Sequence, residues 1–154
     1  MAGEVFNLFN GELDRERDQP GFSWRSAGLG EKLGAQLLGA SVYELEPGQR
    51  SFPYHFERGF EEWLLVVTGR PTLRVPDGER TLEPGDTVCF PDGPAGAHLV
   101  RNDSDEPVRI VFLSTKGSPG IAEYPDSDKI GIWTRDGHLM LRRQPQLDYW
   151  DGEE

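Results

Sequence analysis

Two stretches of this chain bring together residue types that can do chemistry. In the first, residues 47–69 (PGQRSFPYHFERGFEEWLLVVTG), His55, Glu57, Glu61 and Glu62 fall within eight positions. Imidazole nitrogen and carboxylate oxygen are the donors that borderline divalent metals accept. On an extended chain, side chains two residues apart share a face, so His55 and Glu57 project side by side. Glu62 keeps parity with Leu64 and Val66 in the apolar run that follows, so it faces the same interior. Glu61 has the opposite parity and reads as a solvated acid. The second stretch, residues 85–102 (GDTVCFPDGPAGAHLVRN), is a strand over 87–90, a Pro/Gly-rich turn over 91–96, then His98 on a new short strand. Asn102 is placed to cap a turn beside His98 and to orient it. The third histidine, His138, follows a hairpin turn and is expected to be exposed.

The surrounding elements read as short strands. Residues 35–45 (AQLLGASVYEL) form the first good strand candidate, with β-favouring Val42 and Tyr43. After the first histidine stretch, residues 72–75 and 79–82 flank Pro76-Asp77-Gly78, a hairpin turn signal. Residues 108–115 (VRIVFLST) are β-branched and aromatic almost throughout. Residues 130–134 and 138–142 flank Asp136-Gly137 and read as a C-terminal hairpin. Before the first strand, residues 11–21 read as a surface loop or one helical turn, and 28–34, with three glycines, as a turn or loose edge strand. Strands every 8–12 residues or so, with Gly, Pro and Asp between them, indicate an all-β sandwich or barrel. A small antiparallel barrel brings strands distant in sequence to a shared mouth.

The two stretches together resemble the two motifs of the cupin superfamily. Gly48, His55-Phe56-Glu57, Glu62 and Gly69 match the first motif, with Glu57 where the family usually has its second histidine. Gly85, Pro91-Asp92-Gly93, His98 and Asn102 match the second. The segments YELEPG, EEWLLV, FPDGPAGAH, YPDSDKIG and DYWDGE extend the resemblance to small single-domain bacterial cupins whose reaction is unassigned. The resemblance implies one domain over residues 1–154, an antiparallel jelly-roll barrel (the double-stranded β-helix). Its core spans about 35–115, with an extension over 1–34 and a hairpin and tail over 116–154. It implies a metal site of His55, Glu57, Glu62 and His98. Such a donor set suits iron(II), manganese, nickel or zinc, and the extra carboxylate favours manganese, iron or zinc. If Glu57 instead pairs with Arg50 or Arg58, the pocket is metal-free and suits a sugar or acid. The expected function is binding or turnover of a small molecule, as a dioxygenase, isomerase or decarboxylase if an enzyme. The alternatives are a metal-free binding module and a structural or regulatory partner protein. A homodimer is expected, with the aromatic tail serving a sheet edge.

Composition narrows the partners. The chain has 154 residues with 27 acids against 16 bases, a net charge of -11. That disfavours nucleic acid and anionic membrane surfaces, both of which call for a basic patch. The single cysteine, Cys89, allows no intrachain disulfide, which fits a cytoplasmic location. Set in TVCF, it reads as a buried core thiol. No basic stretch leads into a long apolar run near the N-terminus, so neither a signal peptide nor a membrane span is expected. Serine-hydrolase, nucleotide-hydrolase and dinucleotide motifs do not occur. Tyr149 and Trp150 in the acidic tail are expected to dock on the barrel.

Overall fold

The computed structural model describes residues 3–153. Its architecture is nearly all β, as expected. A six-stranded antiparallel sheet runs in the order β1 (Arg15–Arg17), β2 (Trp24–Gly28), β3 (Leu38–Leu45), β10 (Val108–Thr115), β5 (Glu62–Thr68) and β8 (Thr87–Phe90). A four-stranded sheet runs β13 (Gly137–Arg142), β12 (Lys129–Thr134), β11 (Gly120–Tyr124), β4 (Phe56–Arg58). A third sheet holds β7 (Gly78–Thr81), β6 (Thr72–Val75) and β9 (Leu99–Arg101). Strands far apart in sequence thus become neighbours, as a jelly roll requires.

Two apolar clusters follow from strand alternation. The inner one gathers Leu45, Leu64, Val66, Leu73, Val100, Ile110 and Phe112, all buried. The outer one gathers Ala27, Val42, Val67 and Val111 on the opposite face of the six-stranded sheet, with Phe6, Leu8 and Leu13 packed on it. The N-terminal segment therefore covers a sheet face that would otherwise meet water. That is why β10 is apolar at successive positions: both of its faces are buried.

Several local expectations are corrected. The segment read as a loop contains β1, β2 leads into the glycine-rich segment 28–34, and that segment holds a short helix, α1 (Leu29–Lys32), not a loose edge strand. The first long strand starts at Leu38, three residues later than read. Strand β11 carried no sequence signal strong enough to be noticed. Cys89 is exposed. In TVCF the inward parity belongs to Val88 and Phe90, which pack on the inner core, leaving Cys89 on the outer face opposite Trp63. An apolar run reads alike on both faces, and only pairing shows which is outward. Tyr149 and Trp150 are 82% and 70% exposed and pack edge-to-face on each other, not on the barrel.

Asn102 is fully buried and saturated with hydrogen bonds. Its Nδ2 donates to the carbonyls of Leu45 and Glu106, and its Oδ1 accepts from the backbone N–H and hydroxyl of Ser104. It ties the end of β3 to the 102–107 turn and makes no hydrogen bond to His98, contrary to the expected orienting role. Truncating it strands the buried Leu45 carbonyl and unties the Ser104 side of the turn. Asn102→Ala should therefore lose about 2–3 kcal/mol of unfolding free energy in urea melts, with metal affinity at the histidine site unchanged.

Candidate metal centre

The site is assembled by backbone pairing. His55 and His98 face each other in an isolated antiparallel bridge: His55 N–H donates to the His98 carbonyl at 3.2 Å, and His98 N–H donates to the His55 carbonyl at 2.8 Å. Directly opposed residues put their side chains on the same face, and the two rings stand 4.8 Å apart. Glu62, the first residue of β5, pairs with Phe90 at the end of β8. Phe90 stacks on His98 at 3.7 Å with the rings 6° from parallel. One strand pair thus delivers both the carboxylate and the flat apolar backing of the imidazole.

The turn before His98 has a single admissible residue at one position. A Cβ on Gly96 would sit 1.9 Å from the Pro91 carbonyl oxygen. The Gly96 carbonyl in turn lies 2.9 Å from His98 Nδ1. A carbonyl can only accept, so Nδ1 carries the hydrogen, and in the neutral ring Nε2 bears a lone pair. His55 repeats the arrangement with the Pro53 carbonyl, 2.8 Å from its Nδ1. Carbonyls that fix the tautomer in this way are the usual outer partners of metal-binding histidines.

Each of His55, Glu62 and His98 offers one donor atom, and the three atoms lie within 4.8 Å of one another. His98 Nε2 is 3.1 Å from Glu62 Oε2, yet both atoms are buried without a hydrogen-bond partner. Two lone-pair atoms so close repel unless a cation or proton lies between them. The residues therefore fit a divalent ion. Burial is the main cause that lowers the His55 pKa to about 4, with the neighbouring His98 adding to it. His55 is thus a neutral, ligand-ready imidazole at neutral pH.

Glu57 shares the His55 face but stands further out. Its Oε1 is 3.9 Å from His55 Nε2, and it lies outside the three-residue cluster. It does not pair with the arginines considered for it: Arg58 bonds Glu123, and Arg50 lies over the Phe22 ring. Burial, then repulsion from Glu62, raises the Glu57 pKa to about 7. Glu61 is exposed, as its parity implied.

His55, Glu57 and Glu62 open into a cavity of about 780 Å³ between the six- and four-stranded sheets. Tyr43, Phe52 and Phe112 form one wall, and Tyr124, Lys129 and Trp133 the other. Tyr124 stacks on His55 at 5.8 Å. The cavity walls were not foreseen from the sequence. Tyr124 and Lys129 do lie in the YPDSDKIG segment, whose resemblance to relatives was the one signal available.

An antiparallel barrel holding two histidines and a carboxylate at its mouth defines a β-barrel protein with a candidate divalent-metal site. Residues 41–114 match the family model of the cupin domain. Over that stretch the chain is similar to the cupin superfamily. A sugar phosphate isomerase of the cupin superfamily from Silicibacter pomeroyi is similar over 96% of this chain and 98% of its own, with 25% identity and a TM-score of 0.81. A proposed sugar phosphate isomerase from Acidithiobacillus ferrooxidans is similar over 86% of each chain, with 24% identity and a TM-score of 0.79. A cupin-like protein from Thermotoga maritima shares the fold at a TM-score of 0.58, over 73% of this chain and 85% of its own, with 22% identity. No curated protein sequence matches the chain. Among the described residues no helix is long and apolar enough to cross a membrane.

The raised Glu57 pKa makes stability depend on pH. Folding favours the protonated carboxyl, so its contribution is full below the unfolded value near 4.5 and is lost as pH rises through about 7. Glu57→Gln removes that loss. In metal-free protein, the melting temperature of the variant minus that of wild type should be larger at pH 8 than at pH 5. An equal difference at both values would mean that Glu57 ionises as freely as in water.

Proposed function

We infer that this protein holds a divalent metal ion on His55, Glu62 and His98, with Glu57 beside it, and converts a small hydroxylated carbonyl compound. The observation that carries the reading is the pair of unpartnered buried atoms, His98 Nε2 and Glu62 Oε2, 3.1 Å apart. A divalent ion bound there supplies a Lewis acid for a carbonyl or hydroxyl oxygen. The reaction class follows from the Silicibacter pomeroyi structure, described as a sugar phosphate isomerase. Isomerising a hydroxy-carbonyl compound moves a proton between neighbouring carbons. Glu57, with a pKa near 7 beside the donors, is the chain's best group for taking that proton and returning it. Tyr43 and Tyr124 offer phenols along the two walls, both held protonated by burial. Manganese, iron, zinc and nickel all suit two imidazoles and a carboxylate.

The test is calorimetric titration of manganese and zinc into chelator-treated protein. Wild type should bind, and His98→Ala should lose about a hundredfold or more, since even outer-shell partners cost 10–100-fold. Glu57→His should still bind and shift preference toward nickel, copper or zinc. If His98→Ala binds as tightly as wild type, the site is misplaced. If wild type binds no ion and Glu57→His does, a metal-free binding module becomes the better reading. Isomerase activity is then assayed on a panel of aldose and ketose phosphates, with Glu57→Gln expected to lose most of kcat.

The protein is also proposed to be a homodimer. Strand β13 edges its sheet, and Leu139, Met140 and Leu141 are 57%, 46% and 47% exposed. Arg142 and Arg143 follow them, and the tail after them carries Leu147, Tyr149 and Trp150 among Asp148, Asp151 and Glu153. An apolar-basic strand and an apolar-acidic tail are complementary, so two copies satisfy each other reciprocally. Light scattering at high micromolar concentration should give the dimer mass. Deleting residues 147–154 should shift it toward the monomer.

A further inference from the structure

Most cations of this acidic chain are taken up by carboxylates. Arg74 makes a two-pronged pair with Asp126, and Arg101 makes one with Glu79. Arg58 pairs with Glu123, and Arg109 with Glu44. Arg17 and Lys129 differ. Among the described residues neither has a carboxylate within ion-pair distance, although acids outnumber bases 27 to 16. Both line the cavity that His55 and Glu62 also line.

Their placement is similar on the two walls. Lys129 Nζ lies 5.4 Å from the centre of the Tyr124 ring, and that ring stacks on His55 at 5.8 Å. Arg17 lies 5.4 Å from the centre of the Trp24 ring, which packs at 5.1 Å on Tyr43. Tyr43 lines the same cavity, close enough to Glu62 for that carboxylate to help hold its phenol protonated. Each cation is therefore held on an aromatic face, Lys129 one ring away from His55 and Arg17 further back behind Trp24 and Tyr43, with no carboxylate paired to it.

We propose that Arg17 and Lys129 are an anion-recognising pair that receives the phosphate monoester of the ligand while its carbonyl end lies at His55, Glu62 and His98. A phosphate group suits this geometry better than a carboxylate. Its three terminal oxygens can accept from two opposite walls at once, whereas a carboxylate presents both oxygens on one edge. Arg supplies a planar fork and Lys a point charge, the two usual modes of holding phosphate. Among the described residues several cations pair with no carboxylate, and of these Arg17 and Lys129 are the two that line this cavity. A carboxylate there would compete with the ligand. This inference rests on the metal reading for the ligand's other end, but the cation pair can be tested apart from it.

The probe is inorganic phosphate, titrated calorimetrically into manganese-loaded wild type, Arg17→Gln, Lys129→Gln and the double variant. Both side chains reach solvent, and melting temperatures will show that the variants fold. Each single substitution should weaken phosphate binding by about tenfold and the double by more, with Lys129→Arg near wild type and manganese affinity unchanged throughout. Phosphate binding equally tight in wild type and double variant would overturn the assignment, as would wild type that binds none. If manganese fails to bind wild type, the metal reading falls alone. The same titrations on metal-free protein then still decide whether Arg17 and Lys129 hold the anion.

Discussion

The reciprocal backbone hydrogen bonds between His55 and His98 are the constraint on which the site depends. Each residue gives its N–H to the other's carbonyl, which sets the two side chains on one face whatever else the barrel does. The bridge is a single pair, because the strands that continue from it, β4 from Phe56 and β9 from Leu99, part into different sheets. The flanking elements must hold it from outside. Phe90 supports His98 through its ring, and Glu62 is delivered by the strand pair that ends at Phe90. The donor cluster is thus a by-product of strand order, not of local motif sequence alone.

Electrostatics complete what the backbone begins. Two carbonyls engage the Nδ1 atoms of both rings, and burial keeps His55 neutral, so each Nε2 is left on the Glu62 side of its ring. Nothing in the apolar surroundings answers that concentration of lone pairs. Glu57, one step outward, meets the same dry environment and answers it by holding its proton to a higher pH. Burial first, and Glu62 beside it second, set Glu57 apart from an ordinary surface carboxylate.

Much of this was legible in the residues. Parity put Glu62 with Leu64 and Val66, and Gly, Pro and Asp punctuation marked the strands of a β barrel. The resemblance to the two cupin motifs puts His55 and His98 in one site. Other features depend on partners that sequence does not name. Cys89 sits in an apolar run whose outward face only the pairing with Trp63 reveals. Asn102 looked like a support for His98 but spends its hydrogen bonds on the turn it closes. Glu57 shares the face of His55 as alternation requires, yet its distance from the cluster depends on where β4 lies against β11. Arg17, Tyr124 and Lys129 become neighbours of the histidines only because strands from both ends of the chain fold over the same cavity.

That division of labour has a consequence for how such a protein can change over time. His55, Glu62 and His98 all lie inside residues 41–114, the stretch shared with the wider family. Arg17, Tyr124, Lys129, Trp133, His138 and Met140 line the same cavity from outside that stretch. The histidine–carboxylate floor is therefore encoded in one segment, and part of the cavity wall in the two that flank it. Substitution in either terminal segment can redraw that part of the wall while the floor keeps its geometry, so the shape of the cavity and the placing of its donors are free to drift apart.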